Sequence, residues 1–309
     1  MTTEETDKQQ SKYKEPPNFI QIITDMKSKI VGNLDQIQLA AEAATAGLPL
    51  VIEGDVGTGK TELAKALSST LNRPFYRVDG NDGLNALKLI GWFDPPLVLQ
   101  KGFNEDTFIP GPLSRAMKEG GIFFFNETNR APSECSNAVL SALDEKLLVV
   151  PKLGPIESQL GFTAIFTMNP KEHIATNPLP KAFYDRCIWI SLDHLPIKEA
   201  EKIVQLRTEC KDENLIVKVC RIVQETRKHE ELEHGASVRG AIQMTQLLDL
   251  RQPCSKDDFL KVGISVLSPK IRLRSQSQKT KIDIIEEIVN KVLLNFKKNR
   301  HQKLADSKK

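Results

Sequence analysis

An apolar run, Leu-Pro-Leu-Val-Ile-Glu at 48–53, leads directly into Gly54, Asp55, Val56, Gly57, Thr58, Gly59, Lys60 and Thr61, and nothing else in the chain limits its possible folds so tightly. The spacing G-x-x-x-x-G-K-S/T is that of a phosphate-binding loop between a strand and a helix. Glycines let the backbone wrap tightly enough for its N–H groups to point at phosphate oxygens, at a helix start that favours negative charge. Lys60 is then placed to reach β- and γ-phosphates, and the Thr61 hydroxyl to ligate Mg²⁺. A ligand-free Gly-rich turn would carry the same letters, but the context supports the loop. A buried strand is expected at 50–52, and a helix at 62–71 repeats Leu63, Ala64, Leu67 and Leu71 at helical spacing.

Composition bounds the rest. The 309 residues, 40% hydrophobic and 27% charged, suit a soluble main domain plus a smaller one. A net charge of +3 is too small to argue for nucleic acid by itself. Five cysteines, scattered and without C-x-x-C spacing, suggest neither a disulfide framework nor a zinc site, so reduced thiols in a cytoplasmic protein are expected. Residues 1–17 are polar, end in Pro16-Pro17 and lack an apolar core, so they read as a flexible arm and not as a signal peptide or membrane span.

In chain order, helical periodicity covers 19–28 and 34–46, with Ile30, Val31 and Gly32 as an extended break whose residues suit apolar packing as well as a place against a nucleotide base. A second strand is expected at 73–78, followed by a turn-rich stretch at 79–83. Between 84 and 112 the pattern loosens, and 97–99 with 107–109 are expected to form a projecting hairpin. After a helix at 113–119, two glycines precede Ile122 and Phe123 to Phe125, a continuous apolar run of the kind a parallel strand buried on both faces requires. Polar residues follow abruptly at its carboxyl end, where open α/β sheets hold their ligands. Phosphate-loop enzymes place there an Asp for the metal shell and an acid that orients water; here the pair is Asn126 and Glu127, whose plainer role would be to cap the strand.

A helix at 133–146 leads to a second hairpin, 147–156, with its tip near 152–154. A third buried strand, 163–166, runs into Asn169 and Pro170. Asn169 is placed either to hydrogen-bond a phosphate or attacking water, or simply to form a turn before proline. Arg186, between a helix at 179–186 and a strand at 188–192, has two readings: a structural ion pair, or action on a neighbouring subunit's nucleotide. Helices are then expected at 197–210, 215–227, 237–250, 256–267 and 282–298. The expected class is α/β: a P-loop core with a central parallel sheet over 18–195, a small all-α domain over 196–300 and a basic tail at 301–309.

Phosphate loop, strand-end acid, Asn after the next strand, Arg after the following helix and a helical domain, in that order, resemble the AAA+ ATPases. More narrowly, Asn126-Glu127-Thr128-Asn129-Arg130-Ala131-Pro132, Asn169-Pro170, Leu179-Pro180, Asp185-Arg186 and Gly235-Ala236-Ser237-Val238-Arg239 resemble the MoxR family. The likeness spans roughly 29–273. It implies ATP and Mg²⁺ as cofactors, with Gly54 to Glu62 and the Val31-Gly32 segment around the nucleotide and Thr61 with Asn126 toward the metal. It further implies Glu127 and Asn169 in catalysis, Arg186 as an arginine finger acting in trans, and Arg239 supplied by the lid. The two hairpins would line the pore of a ring, commonly a hexamer. The family's work is remodelling or maturation of other proteins, often with a von Willebrand factor A domain partner.

Two positions depart from the pattern. Val238 stands where the family often has Pro, and Asn126 replaces the usual Asp with a neutral carboxamide. Slow, assembly-dependent hydrolysis is expected, and on the sequence alone Asn126→Asp would speed it. An ATP-gated scaffold with negligible turnover is the rival reading. Another is nucleic-acid remodelling, prompted by Lys270, Arg272, Arg274, Lys279 and Lys281, although no interleaved aromatic platform accompanies these charges. No membrane span is expected.

Overall fold

The computed structural model describes residues 19–169 and 179–306, with side chains as far as 298. The expected arm at 1–17, Pro170 and the end of the expected tail, 307–309, lie outside the described residues. The chain divides into two compact units. One holds the chain through Asp55 and Gly59–Asp193, the other Val56–Thr58 and the chain from His194.

The first unit is built on five parallel strands: β1 (Leu50–Gly54), β2 (Phe75–Asp79), β5 (Ile122–Asn126), β8 (Thr163–Met168) and β9 (Ile188–Leu192). Their order is β2-β5-β8-β1-β9, so β8 lies between the strand that feeds the phosphate loop and the strand that ends in Asn126. Alternation along β5 explains why four successive apolar residues are needed. Ile122 and Phe124 pack on one face with Leu50, Ile52, Leu63 and Leu67, whereas Phe123 and Phe125 pack on the other with Leu113, Met117 and Val139. Helices α1 (Phe19–Lys29), α2 (Leu34–Thr45) and α3 (Lys60–Thr70) supply the first face through Ile22, Met26, Ile37 and the alanines of α2. The second face is covered by α6 (Pro112–Glu119) and α7 (Ser133–Asp144). Burial on both faces is what a parallel sheet with crossover helices demands.

The first hairpin differs from expectation. Residues 97–99 belong to a helix, α5 (Pro95–Lys101), because Asp94 caps it by accepting the Leu97 N–H at 3.1 Å and prolines occupy its first turn. The antiparallel pair is instead β3 (Gly91–Phe93) with β4 (Phe108–Pro110), preceded by the short helix α4 (Ala86–Ile90). The second hairpin forms where expected, as β6 (Leu147–Val150) with β7 (Gly154–Glu157). The two projections touch: Lys152 at the tip of the second lies 3.9 Å over the ring of Phe103 in the first.

A short helix, α8 (Lys181–Tyr184), enters β9. The second unit contains α9 (Ile197–Thr208), α10 (Glu213–Lys228), α11 (Val238–Asp249), α12 (Lys256–Leu267) and α13 (Lys281–Asp306) around Val219, Ile222, Met244, Leu267 and Ile285. Its helices follow the apolar periodicity, and α13 continues into the first residues expected as a tail. A small ribbon was not expected. β10 (Leu232–His234) pairs antiparallel with β11 (Arg272–Leu273), segments too short for any period to register.

Candidate nucleotide site

The loop leaves β1 and turns into α3 through Gly57 (φ 80°) and Gly59 (φ 99°), left-handed conformations that side chains resist. Lys60 folds back over the loop, its ammonium donating to the carbonyls of Gly54 at 2.6 Å and Asp55 at 2.9 Å. Thr61 and Glu62 sit in the first turn of α3, whose N–H groups point out of the helix start. The Val31-Gly32 segment follows α1, with Gly32 buried at φ 81°.

Sheet register gathers the other residues of this unit. Glu53 pairs with Met168, Phe125 with Phe166, and Asp79 with Asn126, so Gly54, Asn169, Asn126 and Asp79 all emerge at one carboxyl edge. Asn169 is buried immediately beyond β8. This is the edge at which open α/β sheets bind ligands.

Asn126 is held at both ends. Its Nδ2 donates to Asp79 Oδ1 at 2.8 Å, and its Oδ1 accepts from Thr167 Oγ1 at 2.9 Å. The fully buried Thr167 hydroxyl in turn accepts the Glu127 backbone N–H at 2.9 Å. On the far side, Arg77 grips Asp79 with Nε on Oδ2 at 2.9 Å and Nη2 on Oδ1 at 2.6 Å. Arg77, aided by the Asn126 N–H and against the effect of burial, holds the Asp79 carboxyl below its usual range.

Glu127 has a left-handed backbone, φ 51° and ψ 47°, which costs a non-glycine residue about 1–2 kcal/mol. Neighbours hold it there. Besides the Thr167 contact, the Arg130 N–H donates to the Glu127 carbonyl at 2.9 Å, and Arg130 Nη1 lies 3.2 Å from Glu127 Oε2. Gly80 passes close behind: its N–H donates to Asn126 O at 2.8 Å, and a Cβ there would meet Glu127 O at 2.2 Å. Gly80→Ala is therefore expected to destabilise the fold by about 1–3 kcal/mol, read as a lower denaturant midpoint.

Arg186 makes an ion pair within its own chain. Its guanidinium meets the Asp144 carboxylate at the end of α7 through Nε on Oδ1 and through Nη2 on Oδ2 at 2.7 Å, and Nη1 donates to Ala182 O at 2.6 Å. That pairing holds the Asp144 carboxyl below its usual range. Arg239 lies in the first turn of α11, in the helical unit.

Sequence reasoning missed three participants. In the sequence Asp79 reads as the start of a turn, Thr167 as part of the stretch that leaves the third strand, and Arg130 only as part of a motif, whereas the strand in fact runs on through Thr167 to Met168. The signal for Asp79 was available: an acid that ends the second strand as Asn126 ends the next, each at the polar boundary of an apolar run.

Residues 49–187 match the AAA domain family, dynein-related subfamily. Among similar proteins, an uncharacterized protein of Staphylococcus saprophyticus is 29% identical over 204 residues, covering 64% of this chain and 77% of that one. The gas vesicle ATPase GvpN2 of Halobacterium salinarum is 28% identical over 256 residues, covering 77% of this chain and 73% of its own. Among solved structures, a Cytophaga hutchinsonii protein assigned as an ATPase aligns at TM-score 0.50 and 21% identity, over 87% of this chain and 92% of that one. A point mutant of Thermotoga maritima RuvB aligns at TM-score 0.51 and 16% identity, over 86% of this chain and 72% of that one. The parallel sheet, the phosphate loop and these structural likenesses make the fold that of an AAA+ P-loop core accompanied by a helical region.

Proposed function

We propose that this chain is a Mg²⁺-dependent, ATP-hydrolysing AAA+ protein of the MoxR kind, which works as a cytoplasmic ring, hexameric in the family's usual form, and remodels other proteins as a complex matures. The observation that carries the reading is the alignment of the phosphate loop, Asn126-Glu127 and Asn169 along one sheet edge. The match to an AAA domain and the likeness to a relative named an ATPase support it further. A von Willebrand factor A domain partner belongs to the same reading and rests on the motif resemblance alone.

ATP would lie along the loop, with Lys60 leaving its carbonyl partners for the β- and γ-phosphates. The Thr61 hydroxyl and Asn126 Oδ1 are oxygen donors suited to a hard cation that keeps most of its waters, so the site fits Mg²⁺. When bound, the ion supplies charge neutralisation on the phosphates. Glu127 orients the attacking water and takes its proton, and Asn169 steadies that water or the γ-phosphate. Arg186 from a neighbour and Arg239 from the lid stabilise the charge that develops on the transferred group.

The neutral Asn126 favours a second reading, an ATP-gated scaffold with negligible turnover. ATP hydrolysis measured across protein concentration separates the two. A motor shows a rate per subunit that rises with concentration and disappears in Lys60→Ala; a scaffold shows the same negligible rate in both proteins at every concentration. For nucleic-acid remodelling the fold likeness to RuvB carries no weight, and the sign of that function would be ATP turnover stimulated by DNA.

A further inference from the structure

Asn126 reads in the sequence as a lost acid. In the structure it is the middle of a hydrogen-bonded chain that begins with one. Asp79 ends the neighbouring strand directly opposite Asn126, and the two side chains are 2.8 Å apart. Every link has a defined direction: Arg77 donates to Asp79, Asn126 donates to Asp79, Thr167 donates to Asn126, and the Glu127 N–H donates to Thr167.

We propose that Asp79 is a positioning residue for the metal-binding edge of the site, supplying through the Asn126 carboxamide the negative charge that position 126 itself lacks. The inference rests on the nucleotide-site reading above and names a further residue within it. A carboxylate that accepts from the amide Nδ2 polarises the carboxamide toward its oxygen and strengthens Oδ1 as an acceptor for the metal's water shell. It also fixes the orientation of the amide, since Nδ2 is committed to Asp79 and Oδ1 accepts from Thr167, so that Oδ1 is the end that would be offered to a bound metal. Carboxylates standing behind metal-facing groups do this elsewhere, and losing one costs about 10–100-fold in metal affinity or activity.

The geometry reverses the expectation for Asn126→Asp. That change removes the N–H donor and sets two carboxylates face to face across paired strands, an unfavourable placement for like charges. The exchange of both residues, Asp79→Asn with Asn126→Asp, restores a donor opposite an acceptor and moves the acid next to the metal. An amide at 79 that turns its nitrogen toward position 126 keeps its oxygen in the Oδ2 place for Arg77 Nε, and gives up the Arg77 Nη2 contact on Oδ1.

The test is Mn²⁺ binding to the full-length protein saturated with ADP, followed by electron paramagnetic resonance, beside ADP affinity measured in EDTA. Asp79→Asn and Asn126→Asp are each expected to raise the Mn²⁺ dissociation constant by about 10–100-fold, with ADP affinity in EDTA unchanged. The double variant is expected to return to the native value or below it. Mn²⁺ affinity in Asp79→Asn equal to native, a double variant as weak as either single, or losses that appear equally in EDTA would overturn the role of Asp79. Native protein that binds no ADP would instead overturn the nucleotide site itself, and the inference with it. Should Asp79→Asn fail to fold, Asn126→Asp against the double variant decides: no loss in the first, or no recovery in the second, overturns the proposal.

Discussion

Arg186→Ala is expected to lower ATP turnover by about 10³–10⁵-fold, the contribution of an arginine finger, with little change in ATP affinity. The structure adds a control that the sequence could not suggest. Arg186 is engaged by Asp144 of its own chain, so removing Arg186 also removes an ion pair between the end of α7 and the entry to β9. Asp144→Asn removes the same pair and keeps the guanidinium. If Arg186 acts on a neighbour's nucleotide, Asp144→Asn keeps its turnover while Arg186→Ala loses it. Equal losses in the two variants would make Arg186 a structural residue and withdraw the finger. Mixing provides a second check: Arg186→Ala and Lys60→Ala proteins, each inactive alone, are expected to regain turnover together, because a mixed ring contains sites with an intact loop on one side and an intact finger on the other.

Glu127→Gln is expected to reduce turnover by about 10²–10⁴-fold while ATP still binds, since general-base assistance is lost and the phosphate loop is untouched. Folding stability should barely change. The substitution keeps the shape of the side chain, the backbone bond to Thr167 does not depend on its charge, and the partly exposed pair with Arg130 is worth about 0–1 kcal/mol. A calorimetric titration with ATP and a melting curve, run beside the rate measurement, would expose the alternative. A fall in melting temperature together with the rate would mean that Glu127 braces its left-handed turn and does not handle water.

These expectations draw unequally on sequence and structure. The phosphate loop, the strand before it, the helix after it and the helices of the second unit were legible because each is a local pattern. Glycine spacing, a run of apolar residues bounded by polar ones and a helical repeat each report on residues near one another in the chain. The hairpin at 91–110 was misplaced because Leu97 to Leu99 look like strand residues, while the deciding influence was a cap from Asp94 and two prolines. That signal was local as well, and the apolar run obscured it.

Asn126 marks the boundary. From the sequence alone came the residue type: an amide at the end of a buried strand, beside an acid, downstream of a phosphate loop. What that amide does was decided by tertiary structure, because its partners Asp79 and Thr167 lie 47 and 41 residues away and arrive only when β2 and β8 flank β5. Arg186 and Asp144, 42 residues apart, follow the same rule. Local order follows from spacing along the chain, whereas the charge and orientation of a polar side chain at a sheet edge depend on which strands become neighbours, and no period in the sequence encodes that pairing.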